Sequence, residues 1–521
     1  MSASQEKKLR QQLREEGKDK RQIAQKKTEK VQKRRHVTQL VAGIVVAVVV
    51  IALFAFSSNL FYSSFTALKI GDTSYTAAEY SFFYKMNYNN FVNQYSSYIS
   101  MIGLDTTKSL SSQEYTDGKT WADYFRESAQ SSMKEMTALY DDAMKNGFEL
   151  SDDDKTSLQS TLDSFETGYA DAGYTSADAY IASIYGKGCN LKTISALIEK
   201  YYIAQSYATQ KNNSLTYTDD QLKAYYEENK DDLDNYTYIS YFADGSVKDD
   251  ASAEAGTASA APDASASPSA SPDTEAETAA AMASAKAVAD AIVADGKTAD
   301  EFKQAVLAET QTEASDSTTQ GSSLTDKYAD WLKDASRKEG DSTVIEADTG
   351  YYAVYFISRD DNNYKTVDVR HILVKAVASE DGTYSDEAKA TAKQKAEDLL
   401  AEWQTGDKTE DSFAILADNN SEDTGSNTNG GLYENVYKDQ MVAEFNDWCF
   451  DETRKTGDTG IVYGETSSYS GYHVVYYVGE GELYSNTLAE DGLRSKDFSA
   501  WKEALLASYE VKTGLTASLV K

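Results

Sequence analysis

The C-terminal half of the sequence uses one pattern of residues twice. Aromatic and basic residues of one segment recur 117 positions later in a second segment. The matched pairs are Tyr328 and Phe445, Trp331 and Trp448, and Arg337 and Arg454. A run rich in valine and tyrosine follows in each copy, from Gly350 and from Gly471. Because an internal repeat means one structural unit used twice, and each copy mixes strand-type and helix-type segments, we predict an α+β fold in two copies.

Two of the three histidines in the chain lie in strand-type runs of this region. His371 stands in an apolar, β-branched run at 369–374, and His473 stands in another at 471–477. A single histidine in such a run is usually a packed structural residue. Two of them, with paired glycines at 430 and 431 and Met441 four residues before Phe445 between them, indicate one shared site.

The order and spacing of these fragments resemble the parvulin-type peptidyl-prolyl cis/trans isomerases over residues 365–480. Each fragment is weak alone, and together they are specific. They read Arg370-His371-Ile372-Leu373-Val374, Phe413-Ala414-x-Leu416-Ala417, Ser421-Glu422-Asp423-x-x-Ser426, Gly430-Gly431, Met441-x-x-x-Phe445 and Gly471-Tyr472-His473. The chain departs from the family after the glycine pair, where Tyr433 takes the place of a substrate-facing leucine. The fold that this resemblance implies is an antiparallel sheet with covering helices.

The resemblance also implies a catalytic set. His371 and His473 are expected to hydrogen-bond to each other from adjacent strands beneath the site. Asp423 is expected beside the substrate carbonyl, and Ser470 is expected as a polar residue next to the second histidine. Without the resemblance, Asp423 reads as a turn residue in a polar loop. Neither a cofactor nor a metal ion is expected, and no spacing of cysteine and histidine suits a metal.

The substrate-binding residues expected from the resemblance are Met441, Phe445 and Tyr433. Met441 and Phe445 lie four residues apart, so in a helix their side chains share a face and form an apolar cradle for the proline ring. The loop after the first strand carries Glu380 and Asp381, where phosphate-directed relatives carry an arginine cluster. Because these carboxylates repel a phosphoester, we expect unphosphorylated substrates.

Residues 364–480 are therefore predicted to form a parvulin domain, and residues 236–360 a degenerate copy of it. In the first copy, Ser240 and Tyr352 stand where the second has its histidines, so the first copy is predicted to be catalytically silent. A segment at 246–285 holds all three prolines and is otherwise rich in small and acidic residues. Its composition predicts a disordered insertion, followed by a helix over 279–293.

The N-terminus differs in charge from the rest of the chain. The first 36 residues carry 13 Lys and Arg against five Asp and Glu, although the chain has a net charge of −33. The uncharged apolar run that follows is long enough, as a helix, to cross the ~30 Å hydrocarbon core of a bilayer. The positive-inside rule then predicts a cytoplasmic tail at 1–36, a single-pass anchor at 37–57 and an extracytoplasmic body in the cell envelope. A cleaved signal peptide is the alternative.

Residues 58–235 are rich in tyrosine and in helix-type patterns, and loosely resemble the helical chaperone domain of the SurA and PrsA foldases. Residues 481–521 are predicted to contain a last amphipathic helix, from Asp497 to Tyr509, that packs back on this domain. The two cysteines, Cys189 and Cys449, fall in different predicted domains, and nothing favours a disulfide between them.

These features predict a membrane-anchored peptidyl-prolyl isomerase and foldase. Its expected partners are unfolded or newly exported polypeptides with X-Pro bonds. A nucleic-acid partner is not expected of the acidic body, because binding phosphates needs clustered lysine and arginine. The alternative is a binding chaperone whose parvulin domains no longer catalyse. Client identity and oligomeric state stay open at this stage.

Overall fold

The computed structural model describes residues 2–17, 38, 40–47, 59–247 and 272–521. The chain divides into two compact units, one of Met1–Leu215 with Asp497–Lys521 and the other of Thr216–Lys496. Helix α1 spans Ala3–Glu15. Within the described ranges, no helix has both the length and the apolar character that a membrane span requires. The predicted anchor at 37–57 lies largely outside these ranges.

The first unit is mainly helical and carries two small antiparallel sheets. Besides α1, its described helices include α2 (Leu60–Ser64), α3 (Ala77–Gln94), α4 (Trp121–Lys145), α5 (Asp152–Thr167), α6 (Ala177–Tyr185) and α7 (Leu191–Asn213). Its strands are β1 (Thr66–Ile70), β2 (Thr73–Thr76), β3 (Glu114–Thr116), β4 (Lys119–Thr120) and β13 (Val511–Thr513). The strand order is β13-β1-β2 in one sheet and β3-β4 in the other. Short 3-10 turns occupy Leu110–Ser112 and Ala517–Leu519.

Local sequence sets where the two central helices of this unit begin. Thr76 and Glu79 form a capping box at α3, and Thr120 and Asp123 form one at α4. Each box pairs backbone N–H groups of the first helical turn that would otherwise lack partners. The buried faces of α3, α4 and α7 then build one aromatic-rich core, in which Phe125 is nearly inaccessible to solvent.

The second unit contains two four-stranded antiparallel sheets of the same design. The first sheet has strands β5 (Asn235–Asp244), β6 (Ser317–Gln320), β7 (Ser342–Ala347) and β8 (Gly350–Asp360), in the order β6-β5-β8-β7. Helices α10 (Pro272–Asp295) and α11 (Ala299–Thr310) cover one face. Helix α12 (Asp326–Lys333) covers the other, after a 3-10 turn at Gly321–Ser323. Helices α8 (Asp219–Glu228) and α9 (Lys230–Leu233) precede this sheet.

The second sheet repeats that plan. Its strands are β9 (Lys365–Lys375), β10 (Leu432–Val436), β11 (Thr459–Glu465) and β12 (Ser470–Leu483), in the order β10-β9-β12-β11. Helices α13 (Asp386–Thr405) and α14 (Glu410–Asn420) cover one face, where Ile372 and Val474 are buried. Helix α15 (Ala443–Cys449) covers the other, where Val369 and Val475 are buried. Side chains alternate along a strand, so His371 and His473 point toward the α15 face.

The predicted disordered insertion at 246–285 is wrong in its second part. Helix α10 begins at Pro272 rather than at residue 279, so 272–285 is helical. Ala285 is buried against the first sheet, together with Ala289 and Ile292 of the same helix. The composition suggested disorder because this stretch is rich in alanine and has few large apolar residues. Alanine is, however, the strongest helix former. The rest of the insertion, 248–271, lies outside the described residues.

The last helix is also longer than predicted. Helix α16 spans Tyr484–Ala507, whereas the sequence placed its start at Asp497. Gly492 interrupts the apolar pattern of its first half, and a glycine there lowers any expectation of helix. The part within the second unit buries Ala489 beside α8. In the first unit, Phe498, Trp501 and Leu505 pack against the aromatic core.

Candidate active site

The two histidines meet because of the strand register. In the antiparallel pair of β9 and β12, His371 lies opposite Val475 and His473 lies opposite Leu373. The histidines are therefore diagonal neighbours on one face of the sheet. Their Nδ1 atoms are 2.9 Å apart, and their rings stack with centroids 5.1 Å apart. Both side chains are buried.

Asp423 extends the histidine pair at the His371 side and is the anionic residue of the network. It lies in the loop 421–431 between α14 and β10, and its Oδ2 is 2.9 Å from Nε2 of His371. The same oxygen accepts hydrogen bonds from the hydroxyls of Ser426, at 2.6 Å, and Tyr433, at 3.0 Å. Oδ1 accepts from the backbone N–H of Gly425. The hydrogen bond from His371, followed by those from Ser426 and Gly425, holds the pKa of Asp423 well below its usual range, so the group is a carboxylate.

On the His473 side, the network ends at the hydroxyl of Tyr469. Nε2 of His473 is 3.0 Å from the phenolic oxygen of Tyr469. Burial lowers the pKa of His473 from 6.5 to about 3, and burial raises the pKa of Tyr469. When both imidazoles are neutral, Nε2–H of His371 donates to Asp423 and Nδ1–H of His473 donates to His371. Nε2 of His473 then accepts a hydrogen bond from the hydroxyl of Tyr469. In this arrangement each of the four ring nitrogens has a hydrogen-bond partner.

An apolar cluster supports the histidines from the α15 side. The ring of Phe445 meets His371 and His473 edge to face, with centroid distances of 5.7 and 5.4 Å. Phe445 is only 2% exposed, whereas Met441 and Tyr433 pack on the same cluster and remain partly exposed. The predicted cradle is thus divided: Phe445 forms its buried floor, and the other two residues form its accessible wall.

Met441 and Phe445 do not share a helix face, contrary to the prediction. Helix α15 begins at Ala443, and Val442 at its N-cap has an extended backbone. Met441 therefore precedes the helix and reaches the cluster from the preceding loop. The spacing of four residues looked helical because the sequence has no strong N-cap residue at this point to mark the helix start.

The glycine pair lets the site loop close against β9. Gly430 and Gly431 have φ of +72° and +69°, a region that side chains disfavour. A Cβ on Gly431 would lie 2.2 Å from the carbonyl oxygen of His371. The backbone N–H of His371 donates to the carbonyl of Gly431 at 2.8 Å, and Arg370 donates to that of Gly430. This close approach carries the chain into β10 and brings Tyr433 to Asp423.

Ser470 is not brought to the site. It lies three positions before His473 on β12, and residues three apart on a strand face opposite sides of the sheet. The buried Ser470 hydroxyl instead pairs with the hydroxyl of Tyr463 at 2.9 Å. The resemblance suggested Ser470 by its place beside the second histidine, but the alternation of side chains along the strand already argued against it.

Sequence reasoning assigned no role to two members of the network. Ser426 stands in the fragment Ser421-Glu422-Asp423-x-x-Ser426, three residues after Asp423 in a loop, so its hydroxyl could have been expected within reach of that carboxylate. Tyr469 carried no such signal. It reaches His473 only because a turn, in which Thr466 N–H donates to the Tyr469 carbonyl, folds the chain back before β12.

Among the described residues, the first sheet carries no such network. Ser240 and Tyr352 occupy the register positions that the histidines take in the second sheet. The helix-covered space beside them is filled by tyrosines, with the hydroxyls of Tyr238 and Tyr328 3.4 Å apart. Across the described ranges, no group of three or more His, Cys, Asp or Glu is placed to hold a metal ion. Cys189 and Cys449 are both buried free thiols.

Comparison with protein families identifies a PPIC-type peptidyl-prolyl isomerase domain at residues 352–479. The match confirms the predicted parvulin-type domain, and it includes every residue of the network described above. No curated protein matches the chain.

Solved structures of foldases are also similar to parts of the chain. PrsA from Bacillus anthracis, a peptidylprolyl isomerase, is 20% identical over 28% of this chain and 59% of its own, with a TM-score of 0.18. PrsA from Bacillus cereus is 24% identical over 28% and 49%, with a TM-score of 0.18. The foldase protein PrsA from Streptococcus pneumoniae is 12% identical over 76% and 90%, with a TM-score of 0.23. The chain thus spans about half the length of the two Bacillus proteins, and TM-scores this low carry no argument about shared architecture.

Proposed function

We propose that the second sheet and its helices catalyse cis/trans isomerisation of X-Pro bonds in polypeptides, and that the chain acts as a foldase. The observation that carries this proposal is the continuous hydrogen-bonded chain of Asp423, His371, His473 and Tyr469 above the buried ring of Phe445. The match to a PPIC-type domain over the same residues supports it.

The reaction asks for little covalent chemistry. An X-Pro bond rotates slowly because resonance gives its C–N bond partial double-bond character, with a barrier of ~18–20 kcal/mol. Catalysis requires that the site favour the twisted amide over the planar one. In the twisted state the carbonyl oxygen carries less negative charge, because conjugation with nitrogen is lost. A fixed anion beside that oxygen therefore raises the energy of the planar amide more than that of the twisted amide.

Three features of the geometry support this mechanism. Asp423 stays ionised and is held in place by three side-chain hydroxyl or imidazole groups, so its charge is fixed without reorganisation. The histidines are positioning residues: they are buried, and they orient Asp423. Met441 and Tyr433 offer partly exposed surface on which the proline ring can pack. Proton transfer to or from substrate is not part of the proposal.

Charge near the site favours unphosphorylated substrates. The guanidinium of Arg370 is already committed, to Glu410 and to the carbonyl groups of Asn429 and Gly430. The turn at 379–383 carries Glu380 and Asp381. Lys375, at the end of β9, is exposed, but a single lysine is a poor substitute for an arginine cluster. With the nearest arginine occupied and two carboxylates close along the chain, this region is poorly suited to bind a phosphate group.

The proposal extends to location. The basic segment 1–36 followed by the apolar segment 37–57 supports a single-pass anchor, with the body in the extracytoplasmic space and exported chains as clients. Full-length protein should then sediment with membranes and be released only by detergent. Recovery from the culture medium with a new N-terminus near Ser57 would instead identify a cleaved signal peptide.

A second candidate, a binding chaperone without catalysis, draws on a different surface. In the first unit, Tyr98 and Met101 are 59% and 68% exposed, next to the exposed Tyr95 and Ile102. Neighbouring exposed apolar side chains are typical of surfaces that bind other chains. Replacing Tyr98 and Met101 together by serine should weaken suppression of client aggregation and leave X-Pro isomerisation unchanged.

The decisive experiment measures isomerisation by the full-length chain. Exchange between cis and trans forms of an Ala-Pro peptide, followed by NMR, should accelerate in proportion to protein concentration. Suppression of aggregation of a proline-poor client is measured in parallel. If the protein suppresses aggregation but never accelerates exchange, the isomerase proposal fails and the binding chaperone replaces it.

A further inference from the structure

A cleft in the first unit differs in charge from the rest of the molecule. It has a volume of about 360 Å³ and lies between α3, the start of α4 and the 3-10 turn at Leu110–Ser112. Four basic residues line it, Lys85, Lys108, Arg126 and Lys521, and no aspartate or glutamate does. The chain as a whole has 84 acidic and 51 basic residues, and three other clefts in the described ranges each carry at least one aspartate. The sign of the charge therefore distinguishes this cleft from those three.

Two of the four cations are already partly neutralised. Lys108 pairs with Asp105 at 3.0 Å, and Arg126 pairs with Asp123 at 2.6 Å. Arg126 also donates through Nε to the carbonyl of Val520. The guanidinium is thus committed, and a phosphate group would find no arginine fork in the cleft.

Lys85 has no such partner. No carboxylate in the described part of the chain lies within ion-pair distance of its ammonium, which sits 5.4 Å from the ring centre of Tyr84 and 6.0 Å from that of Tyr88. Burial lowers the pKa of Lys85. A bound anion stabilises a partly buried ammonium that contacts only aromatic rings. The same anion stabilises a fully hydrated ammonium less, because water already solvates that charge.

The cleft also holds an unused hydrogen-bonding group. Tyr84 lines it and is fully buried, and its hydroxyl has no hydrogen-bond partner. Buried hydroxyls are nearly always paired, so an unpaired one on a ring whose centre lies 5.4 Å from the Lys85 ammonium indicates a missing acceptor. The rest of the lining combines apolar surface, from Leu110, Ala122 and the tyrosine rings, with Ser109 and Ser111.

We propose that this cleft binds a carboxylate of a polypeptide client, with a neighbouring apolar side chain packed on the tyrosine rings. The proposal deepens the foldase function and rests on it for the identity of the ligand. Lys521, the fourth basic residue, forms no ion pair within the described residues, but of the two lysines only Lys85 rests on aromatic rings. A single anionic charge matches that ammonium, and a cleft of this volume holds a ligand at the small end of the usual range, about one or two residues. The carboxylate comes either from a chain end or from an internal acidic residue.

Calorimetry on the full-length chain tests the site with defined probes. The first probe is an N-acetylated tetrapeptide that ends in leucine with a free carboxylate. The second is the same peptide with a C-terminal amide, and the third is an amidated peptide with an aspartate before the leucine. The basic segment 1–36 also attracts anions, so each probe is compared between the parent and variants that share that segment. Lys85→Met removes the central ammonium, Lys85→Arg retains the charge, and Lys145→Met removes an exposed lysine of α4 as the matched control.

The free-carboxylate peptide should bind the parent at least fivefold more tightly than the amidated one. Lys85→Met should abolish that preference, whereas Lys85→Arg and Lys145→Met should keep most of it. Tight binding of the third probe assigns an internal acidic residue as the source, and weak binding assigns the chain end. Equal affinity for the first two probes, or an unchanged preference in Lys85→Met, would overturn the proposal. So would inorganic phosphate displacing the peptide at lower concentration than acetate.

Two further measurements distinguish loss of peptide binding at the cleft from unfolding and from loss of X-Pro isomerisation. If Lys85→Met unfolds, Tyr84→Phe serves instead, since it removes an unpaired buried hydroxyl; weaker peptide binding without a lower melting temperature supports the site, and unchanged binding overturns it. X-Pro isomerisation should be the same in Lys85→Met as in the parent. A parent that binds the carboxylate peptide but never isomerises refutes the proposed enzyme function and leaves the cleft intact.

Discussion

The two sheets of the second unit share one scaffold and differ in their chemistry. Both have the same strand order and the same register between their central strands. Both also keep an arginine stacked on a tryptophan, Arg337 on Trp331 in the first and Arg454 on Trp448 in the second. The residues that fix the fold are thus retained where the residues of the site are absent. Fold and function separate within one chain.

The two sheets differ in one loop and in four side chains of the site, which are His371, His473, Asp423 and Tyr433 in the second sheet. The second sheet has the loop 421–431, whose glycine pair brings Asp423 and Tyr433 to the histidines. The first sheet joins α11 to β6 through the shorter segment 311–316, which has no such pair. Tyrosines fill the space beside Ser240 and Tyr352 instead. A packed core of large aromatic residues has no room for a substrate. For this physical reason we expect the first copy to be catalytically inactive.

Matched truncations at the α15 and α12 positions should separate stability from activity. Phe445→Ala and Tyr328→Ala each empty a buried aromatic site, so each should lower the free energy of unfolding by about 3–5 kcal/mol. Only Phe445→Ala should also reduce X-Pro isomerisation, because only that ring supports the histidine pair. Urea unfolding and the exchange assay measure the two effects. If Tyr328→Ala lost as much activity as Phe445→Ala, the first copy would not be silent.

Asp423→Ala should reduce isomerisation at least tenfold, which corresponds to ~1.4 kcal/mol of transition-state stabilisation. The fixed charge is lost, and His371, Ser426 and Tyr433 lose their common acceptor. A control change in the first sheet, Tyr352→Phe at the register position of His473, should have no effect on the rate. Aggregation of a proline-poor client should be suppressed equally by the parent and by both variants. Full activity in Asp423→Ala would show that the site has been assigned wrongly.

Burial of His473 should give the stability of the protein a distinct pH dependence. The pKa of His473 is lowered from 6.5 to about 3, so between these values the unfolded chain binds a proton that the folded chain does not. Stability from this group is complete above pH 6.5 and declines as pH falls toward 3, by up to about 1.4 kcal/mol per pH unit. With only three histidines in the chain, ring NMR can follow His473 directly. A midpoint near 6.5 in the folded protein would contradict its burial.

Two deletions in the first copy should have unequal and smaller effects. Removing 248–271 should change the free energy of unfolding by less than about 1 kcal/mol, because loop closure depends only weakly on length. Removing 248–285 also takes away half of α10 and the buried Ala285, and should lower the melting temperature clearly. Differential scanning calorimetry compares the two. Equal effects would mean that the first half of α10 contributes nothing to the core.

Much of the candidate site could be predicted from the sequence. The strand-borne histidines, the Asp423 loop, the glycine pair and the aromatic Phe445 are local patterns with fixed spacing, and the structure brings all of them together. Two details could not be predicted in the same way: Met441 lies before its helix, and Tyr469 joins the network across a turn. Ser470 was assigned wrongly, although the alternation of side chains along its strand places it on the opposite side of the sheet from His473.

The sequence by itself determined the repeat, the strands and the chemistry that each copy can offer, because periodicity and residue type are properties of neighbouring positions. Only the tertiary structure decided which side chains meet. Whether Tyr469 reaches His473, or Tyr433 reaches Asp423, depends on a turn and a close backbone approach that bring separate segments within 3 Å of each other. Distances of that kind follow from the packing of the whole domain, in which a shift of one residue reverses every side chain on a strand.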